Sequence, residues 1–167
     1  MNENEIKDYV NKLKFDDEIN KQYFIDGVPL NYNENKETFP AFNLQKDDLD
    51  GEIWKEYPPC IDFLVSNLGR IKFQDVVLQQ CEKSENAKYG QTVGYLQISK
   101  AKHKNEYTKI KDNYVYQMVA RTWFEKDLGH NEVHHITNDG YNNNVNNLLL
   151  VDKDTHQKIH EWFKKKN

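Results

Sequence analysis

The stretch from Glu132 to His160 constrains this chain more than any other. It runs Glu132-Val133-His134-His135-Ile136, then a polar loop rich in Asn with Gly140, then Asn147-Leu148-Leu149-Leu150-Val151, then a segment carrying His156 and His160. Two short apolar runs around an Asn-rich loop suit a pair of strands joined by a turn. His at i and i+4 places both imidazoles on one helical face. Neighbouring residues on a strand point to opposite faces, so His134 and His135 cannot both be ordinary ligands of one ion. One of them can join His156 and His160 in a three-imidazole metal site, and the other is then left to act as a base. Imidazole suits both jobs, because it exchanges protons near neutrality and binds divalent metals when neutral. A metal beside a base is what phosphodiester hydrolysis requires.

Val133-His134-His135-Ile136, Asn142-Asn143, Asn146-Asn147-Leu148, His156 and His160 together resemble the HNH nuclease motif, the ββα-metal finger of phage homing endonucleases, some restriction enzymes and colicin nucleases. The resemblance implies that His134, His156 and His160 are metal ligands and His135 the general base. It implies that Asn147 hydrogen-bonds across the loop to hold His135 in orientation. Thr137 and Asn138 stand where the family has Asp-Gly, so the turn is expected to form with Asn138 and Asp139-Gly140.

Upstream, Ile61 to Val65 suits a strand, Ser66 to Gly69 a tight turn, and Arg70 to Val77 a return strand. This Val-Ser-Asn-Leu-Gly-Arg hairpin, preceded by Trp54, is similar to a modular DNA-binding element found before the motif in many phage endonucleases. On that resemblance Asn67, Arg70 and Lys72 are candidate DNA contacts, with Arg70 more suited to phosphate than to base reading. Residues 80–92 read as a loop. Gly94 to Ser99 alternates as a strand, and Glu106 to Ile110 reads as its returning partner. The turn between them carries Lys100, Lys102 and Lys104, the densest positive patch of the body and a candidate phosphate contact. Val115, Met118, Val119 and Trp123 form a helical stripe expected to face the core. The family carries His and Arg on this helix where Tyr116 and Gln117 stand here. Asp152 is the expected N-cap of the last helix, with Asp154 in its first turn.

A length of 167 residues suits one domain, or a domain with an appended module. Net charge is −4, but it is unevenly spread: residues 1–56 hold 7 Lys and Arg against 14 Asp and Glu, while residues 57–167 hold 16 against 13. A modestly basic body is compatible with phosphate contact. The reading is therefore an acidic arm over residues 1–50, opening with a short amphipathic helix near residues 3–14; a hairpin element over 51–80; and an HNH nuclease domain over 90–167. The arm reads more simply as a polar lead-in that docks a few aromatics than as a DNA mimic. No apolar run approaches the ~18 residues a membrane helix needs. The acidic N-terminus lacks the features of a secretion signal. Cys60 and Cys81 form no metal-binding pair and read as reduced thiols.

The expected fold is α+β, hairpins and short helices ending in a ββα-metal motif. The expected activity is that of a metal-dependent DNA endonuclease or nickase in the cytoplasm of a phage-infected or bacterial cell, leaving 5′-phosphate and 3′-hydroxyl ends. The partner is DNA, with no membrane and no small-molecule cofactor, and a homodimer is compatible. The one divalent ion could be Zn, Mg, Mn or Ni. Imidazoles favour a borderline transition metal, whereas family members often use magnesium. The alternatives are a non-catalytic DNA-binding protein with a structural metal site and a toxin-type nuclease with an inhibitor partner.

Overall fold

The computed structural model describes residues 39–83, 94–124, 128–136 and 139–157. The fold is mixed α+β, with antiparallel sheets and few helices. In chain order the elements are β1 (Trp54–Glu56), β2 (Phe63–Ser66), β3 (Ile71–Phe73), β4 (Val76–Val77), β5 (Gln80–Lys83), β6 (Tyr95–Ile98), α1 (Lys104–Tyr107), α2 (Val115–Trp123), β7 (Glu132–His135) and β8 (Leu148–Val151). Strands β1 to β4 form one sheet in sequence order, and β5–β6 and β7–β8 form two-stranded ribbons. Residues 153–157 are helical. No helix among the described residues is long and apolar enough to cross a membrane. The expected helix over residues 3–14 lies outside the described residues.

Helix α2 is the hub. Its buried residues are Val115, Met118, Val119 and Ala120; the first three belong to the stripe read from the sequence, whose fourth member, Trp123, is half-buried against the core, and the helix packs against β6, β1, β2, β7 and β8. Each large apolar side chain buried there contributes about 1.5–3 kcal/mol. The Gln117 side chain accepts from the backbone N–H of Tyr114 and Asn113, which satisfies donors at the helix start. At its far end the Trp123 indole donates to the Val65 carbonyl and fixes the helix on β2. Phe63, Val65 and Ile71 fill the space beneath. Phe39 and Phe42, flanking and ending the short 3-10 turn Pro40–Phe42, meet Tyr141 edge-on, so two aromatics of the lead-in dock on the body.

Three local expectations fail. The return strand expected from Arg70 to Val77 is broken by a turn at Gln74, whose φ is 47°, into β3 and β4, which pair with each other as Lys72↔Val77 and Phe73↔Val76. Residues 80–83 are not loop but strand β5, paired with β6 in the register Gln80↔Ile98 to Lys83↔Tyr95. Gln-Cys-Glu-Lys has no apolar alternation to announce a strand. The strand is held by tertiary bonds: the Gln80 amide donates to the Gly69 carbonyl, and Glu82 accepts from Gly94 N–H and from the Tyr141 hydroxyl. The expected strand from Glu106 to Ile110 is instead the turn of helix α1 and its exit. Tyr107 and Ile110 both pack on the core, and a helical turn brings i and i+3 to one side where a strand would part them.

Arg70 is the largest correction. It is fully buried, not exposed on a strand. Its guanidinium makes a bidentate pair with Glu52 and donates to the carbonyls of Asn43, Gln45 and Asp47. All its charge is consumed within the fold, so it has nothing to offer a phosphate. Asn67 is likewise spent: its amide accepts from Ile53 N–H and donates to the Gly51 carbonyl. The Lys72 ammonium lies 4.1 Å over the Trp54 ring and 3.7 Å from Asp48, with only 14% of its side chain exposed. The three hairpin candidates for DNA contact therefore do structural work. Lys100, Lys102 and Lys104 are exposed, as the basic-turn reading expects.

Candidate metal and histidine site

Strands β7 and β8 pair with His134 opposite Leu149 and His135 opposite Leu148. Alternation along β7 sends Glu132 and His134 to one face and Val133 and His135 to the other. The two adjacent histidines thus have separate surroundings.

On the first face, the His134 ring is fully buried and stands 5.3 Å from the His156 ring, nearly perpendicular to it. His156 is carried by the 153–157 helical segment, which Asp152 caps: its carboxylate accepts from Thr155 N–H and Thr155 Oγ1–H, each at 2.8 Å. These bonds hold the Asp152 carboxyl below the ordinary carboxylate range. Nδ1 of His156 donates to the Glu132 carboxylate at 2.7 Å. Such a carboxylate fixes the tautomer and keeps the lone pair on Nε2, as second partners of metal-binding histidines do. His160, the third expected ligand, lies outside the described residues. Among the described residues no group of three His, Cys, Asp or Glu side chains is arranged to hold a metal ion. Of the expected ligands, the structure brings His134 and His156 together, with Glu132 bonded behind His156. Glu132 was not singled out from the sequence, although its i, i+2 relation to His134 placed it on the ligand face. Glu132→Gln is expected to weaken binding of a transition-metal ion about 10- to 100-fold, measured by calorimetric titration of the metal-free protein. An unchanged affinity would remove Glu132 from the site.

On the second face, His135 is buried at 4% exposure. Its Nε2 lies 2.8 Å from Oδ1 of Asn143. With Nε2 donating to that oxygen, the lone pair sits on Nδ1. The ring stacks on Tyr95 and meets Tyr116 edge-on. Burial pushes this imidazole down to about 4; the Asn143 bond pulls the other way, and the nearby His156 adds to the lowering. His135 is therefore neutral at pH 7, the form a proton acceptor must have.

Among the described residues, the partner of the His135 side chain is Asn143 and not Asn147. Asn147 is fully buried; its amide donates to the Asn142 carbonyl, and its own carbonyl accepts from Ile136 N–H at 2.7 Å. It ties the loop to the end of β7 and acts one step behind Asn143. The loop is shaped by Asn side chains that mimic backbone turns: Asn142 accepts from Asn144 N–H and Asn144 from Asn146 N–H. The hairpin turn from Ser66 to Arg70 braces it from outside. The Asn67 carbonyl accepts from Val145 N–H, and Gly69, at a φ of 90°, lies so close that an added Cβ would stand 2.9 Å from the Asn143 Cβ. A side chain at 69 would push on the residue that holds His135.

Asp139, also in the loop, is 4% exposed and accepts from Tyr141 N–H. Burial raises its carboxyl to about 6. The folded state therefore binds this proton more tightly than the unfolded chain, so Asp139 stabilises the fold as pH falls through about 6. His135 has the opposite sign: its contribution is present above the unfolded value of 6.5 and is lost as pH falls toward about 4. The two offset each other over the same window. Asp139→Asn is expected to expose the His135 slope, with the melting temperature of metal-free protein dropping between pH 6.5 and 4.5 by several degrees more than in the wild type. Parallel melting curves for the two proteins would rule this balance out.

No family model, curated protein or solved structure matches this chain.

Proposed function

We propose that the protein is a metal-dependent DNA endonuclease or nickase of the HNH type, with β7, β8 and the 153–157 helical segment as its ββα-metal motif. One observation carries the reading: the strand separates two adjacent histidines into a ring paired with His156 and a ring held neutral by burial and bonded to Asn143. A purely structural use of this segment gives no reason for the second environment.

His134 and His156 would hold the ion, with His160 as the third imidazole. When bound, a divalent ion supplies charge neutralisation at the phosphate and at the departing 3′ oxygen. The chain's own residues do the rest. Glu132 accepts from Nδ1 of His156 and so leaves the lone pair that would hold the ion on Nε2. Asn143 takes the Nε2 proton of His135 as a hydrogen bond and leaves Nδ1 to accept a proton from water. Asn147 keeps Asn143 and the end of β7 in register. The exposed Lys100, Lys102 and Lys104 offer phosphate contacts. The neutral imidazole donors favour zinc or nickel over magnesium.

The test is incubation of the pure protein with supercoiled plasmid in the presence of Mg, Mn, Ni or Zn, and with EDTA. Nicked or linear product with at least one metal, and none with EDTA, is expected. No product under any condition, or product indifferent to EDTA, defeats the proposal.

A further inference from the structure

We propose that Gln80 is a positioning residue for His135: by tying the Gly69 carbonyl to strand β5, it keeps the Asn143 amide seated on the imidazole. Each link is a direct contact. The Gln80 side chain donates from Nε2 to the Gly69 carbonyl at 2.8 Å. Gly69 lies so close to Asn143 that a Cβ added to it would stand 2.9 Å from the Asn143 Cβ and 3.1 Å from the Asn143 carbonyl oxygen. Asn143 Oδ1 in turn meets His135 Nε2 at 2.8 Å. Gln80 and Asn143 are both buried.

The Asn143 amide has no second anchor of its own. Oδ1 faces the ring, and the buried Nδ2 has no hydrogen-bond partner among the described residues. Its place against His135 therefore depends on where the backbone at 143 sits, and Gly69 presses on that backbone. Gln80 is used as sparingly. Among the described residues its side chain makes one hydrogen bond, and its buried Oε1 makes none. A buried carbonyl without a partner is costly, and an apolar side chain would fill this strand position without that cost. What the amide adds is the tie to Gly69.

The consequence is chemical. The bond to Oδ1 favours the tautomer with the proton on Nε2, which leaves Nδ1 to accept from water. With the tie cut, the hairpin turn draws back, the Asn143 bond lengthens, and the ring divides its proton between the two nitrogens. The inference rests on the nuclease reading for the role of base, but the tautomer is measurable without cleavage.

The experiment uses the full chain in EDTA, isotopically labelled at the histidine ring nitrogens and read by their chemical shifts. The His135 signals are identified by their loss in His135→Gln. In the wild type the ring is expected on the Nε2–H tautomer. Gln80→Met keeps the side-chain length and cannot donate. It is expected to raise the Nδ1–H share several-fold while the melting temperature falls by only a few degrees. In the plasmid assay with the active metal, it should lower kcat about tenfold and leave KM within about twofold. A side chain that only fills the core would leave the tautomer where it is. An unchanged His135 ring in folded Gln80→Met overturns the proposal. If that variant loses its fold, Gly69→Ala takes its place, since the added Cβ displaces Asn143 while Gln80 stays. The same tautomer change is expected there, and its absence overturns the proposal. A wild-type ring protonated on Nδ1 overturns it without any variant. A tautomer change in Gln80→Met, with no plasmid cleavage by the wild type under any metal, sinks the nuclease reading and leaves the tie standing; cleavage with an unmoved ring does the reverse.

Discussion

His135→Ala is expected to slow plasmid cleavage by about 10²- to 10⁴-fold, the range that a positioned general base contributes. The reason lies in the two faces of β7. His134 and His156 stand together on one, so removing His135 leaves the proposed ligands in place. What disappears is an imidazole that burial keeps neutral and that Asn143 orients. Metal affinity, measured by titration, should change little. Removing a ring packed between Tyr95 and Tyr116 also costs stability, on the order of 1–3 kcal/mol for a partly collapsed cavity. His135→Gln, which fills more of the space, is therefore the companion variant, and both need a melting curve beside the cleavage assay. If either variant cleaves at the wild-type rate with metal and DNA bound, His135 is not the base and the metal pair is better read as structural.

Arg70→Met is expected to destabilise the fold by about 3–5 kcal/mol, the cost of leaving one partner of a buried ion pair uncompensated. Burial by itself would raise the Glu52 carboxyl. Hydrogen bonds from Arg70, the Leu49 N–H and Ser66, with the attraction of the guanidinium, outweigh it and hold the group below its ordinary value. Without Arg70 the carboxylate either stays charged in an apolar setting or takes up a proton. The carbonyls of Asn43, Gln45 and Asp47 lose their common donor as well, so the segment before β1 should loosen first. Urea unfolding followed by tryptophan fluorescence gives the size of the effect. The double variant Arg70→Met/Glu52→Leu should regain more than half of the loss, because it removes both charges together. A single variant of wild-type stability that binds DNA less well would restore Arg70 to the role of a phosphate contact.

The hairpin around Arg70 also alters how the chain is organised. Read along the sequence, Ser66 to Arg70 belongs to an element set apart from the histidine segment. In space its turn lies against the Asn-rich loop, with Gly69 against Asn143 and Asn67 bonded to Val145. The hairpin therefore acts on the site through packing, by holding the loop that holds His135.

The sequence by itself determined what depends on neighbours along the chain. Two short apolar runs placed β7 and β8, and the alternation of a strand divided the two histidines between faces. The 3.6-residue stripe placed α2, and Asp152 immediately after the second apolar run marked the start of the last helical segment. These are properties of a few consecutive residues, fixed by backbone geometry. Tertiary structure alone decided which polar groups were already spoken for. Arg70 is caged by carbonyls 23 to 27 positions earlier, β5 exists because Gly69 and Tyr141 bond to its side chains, and Asn143 rather than Asn147 meets His135 because the hairpin turn presses the loop into place. A side chain's charge and shape can be read from its letter; whether that charge faces solvent depends on distant segments that close around it, and local pattern holds no record of them.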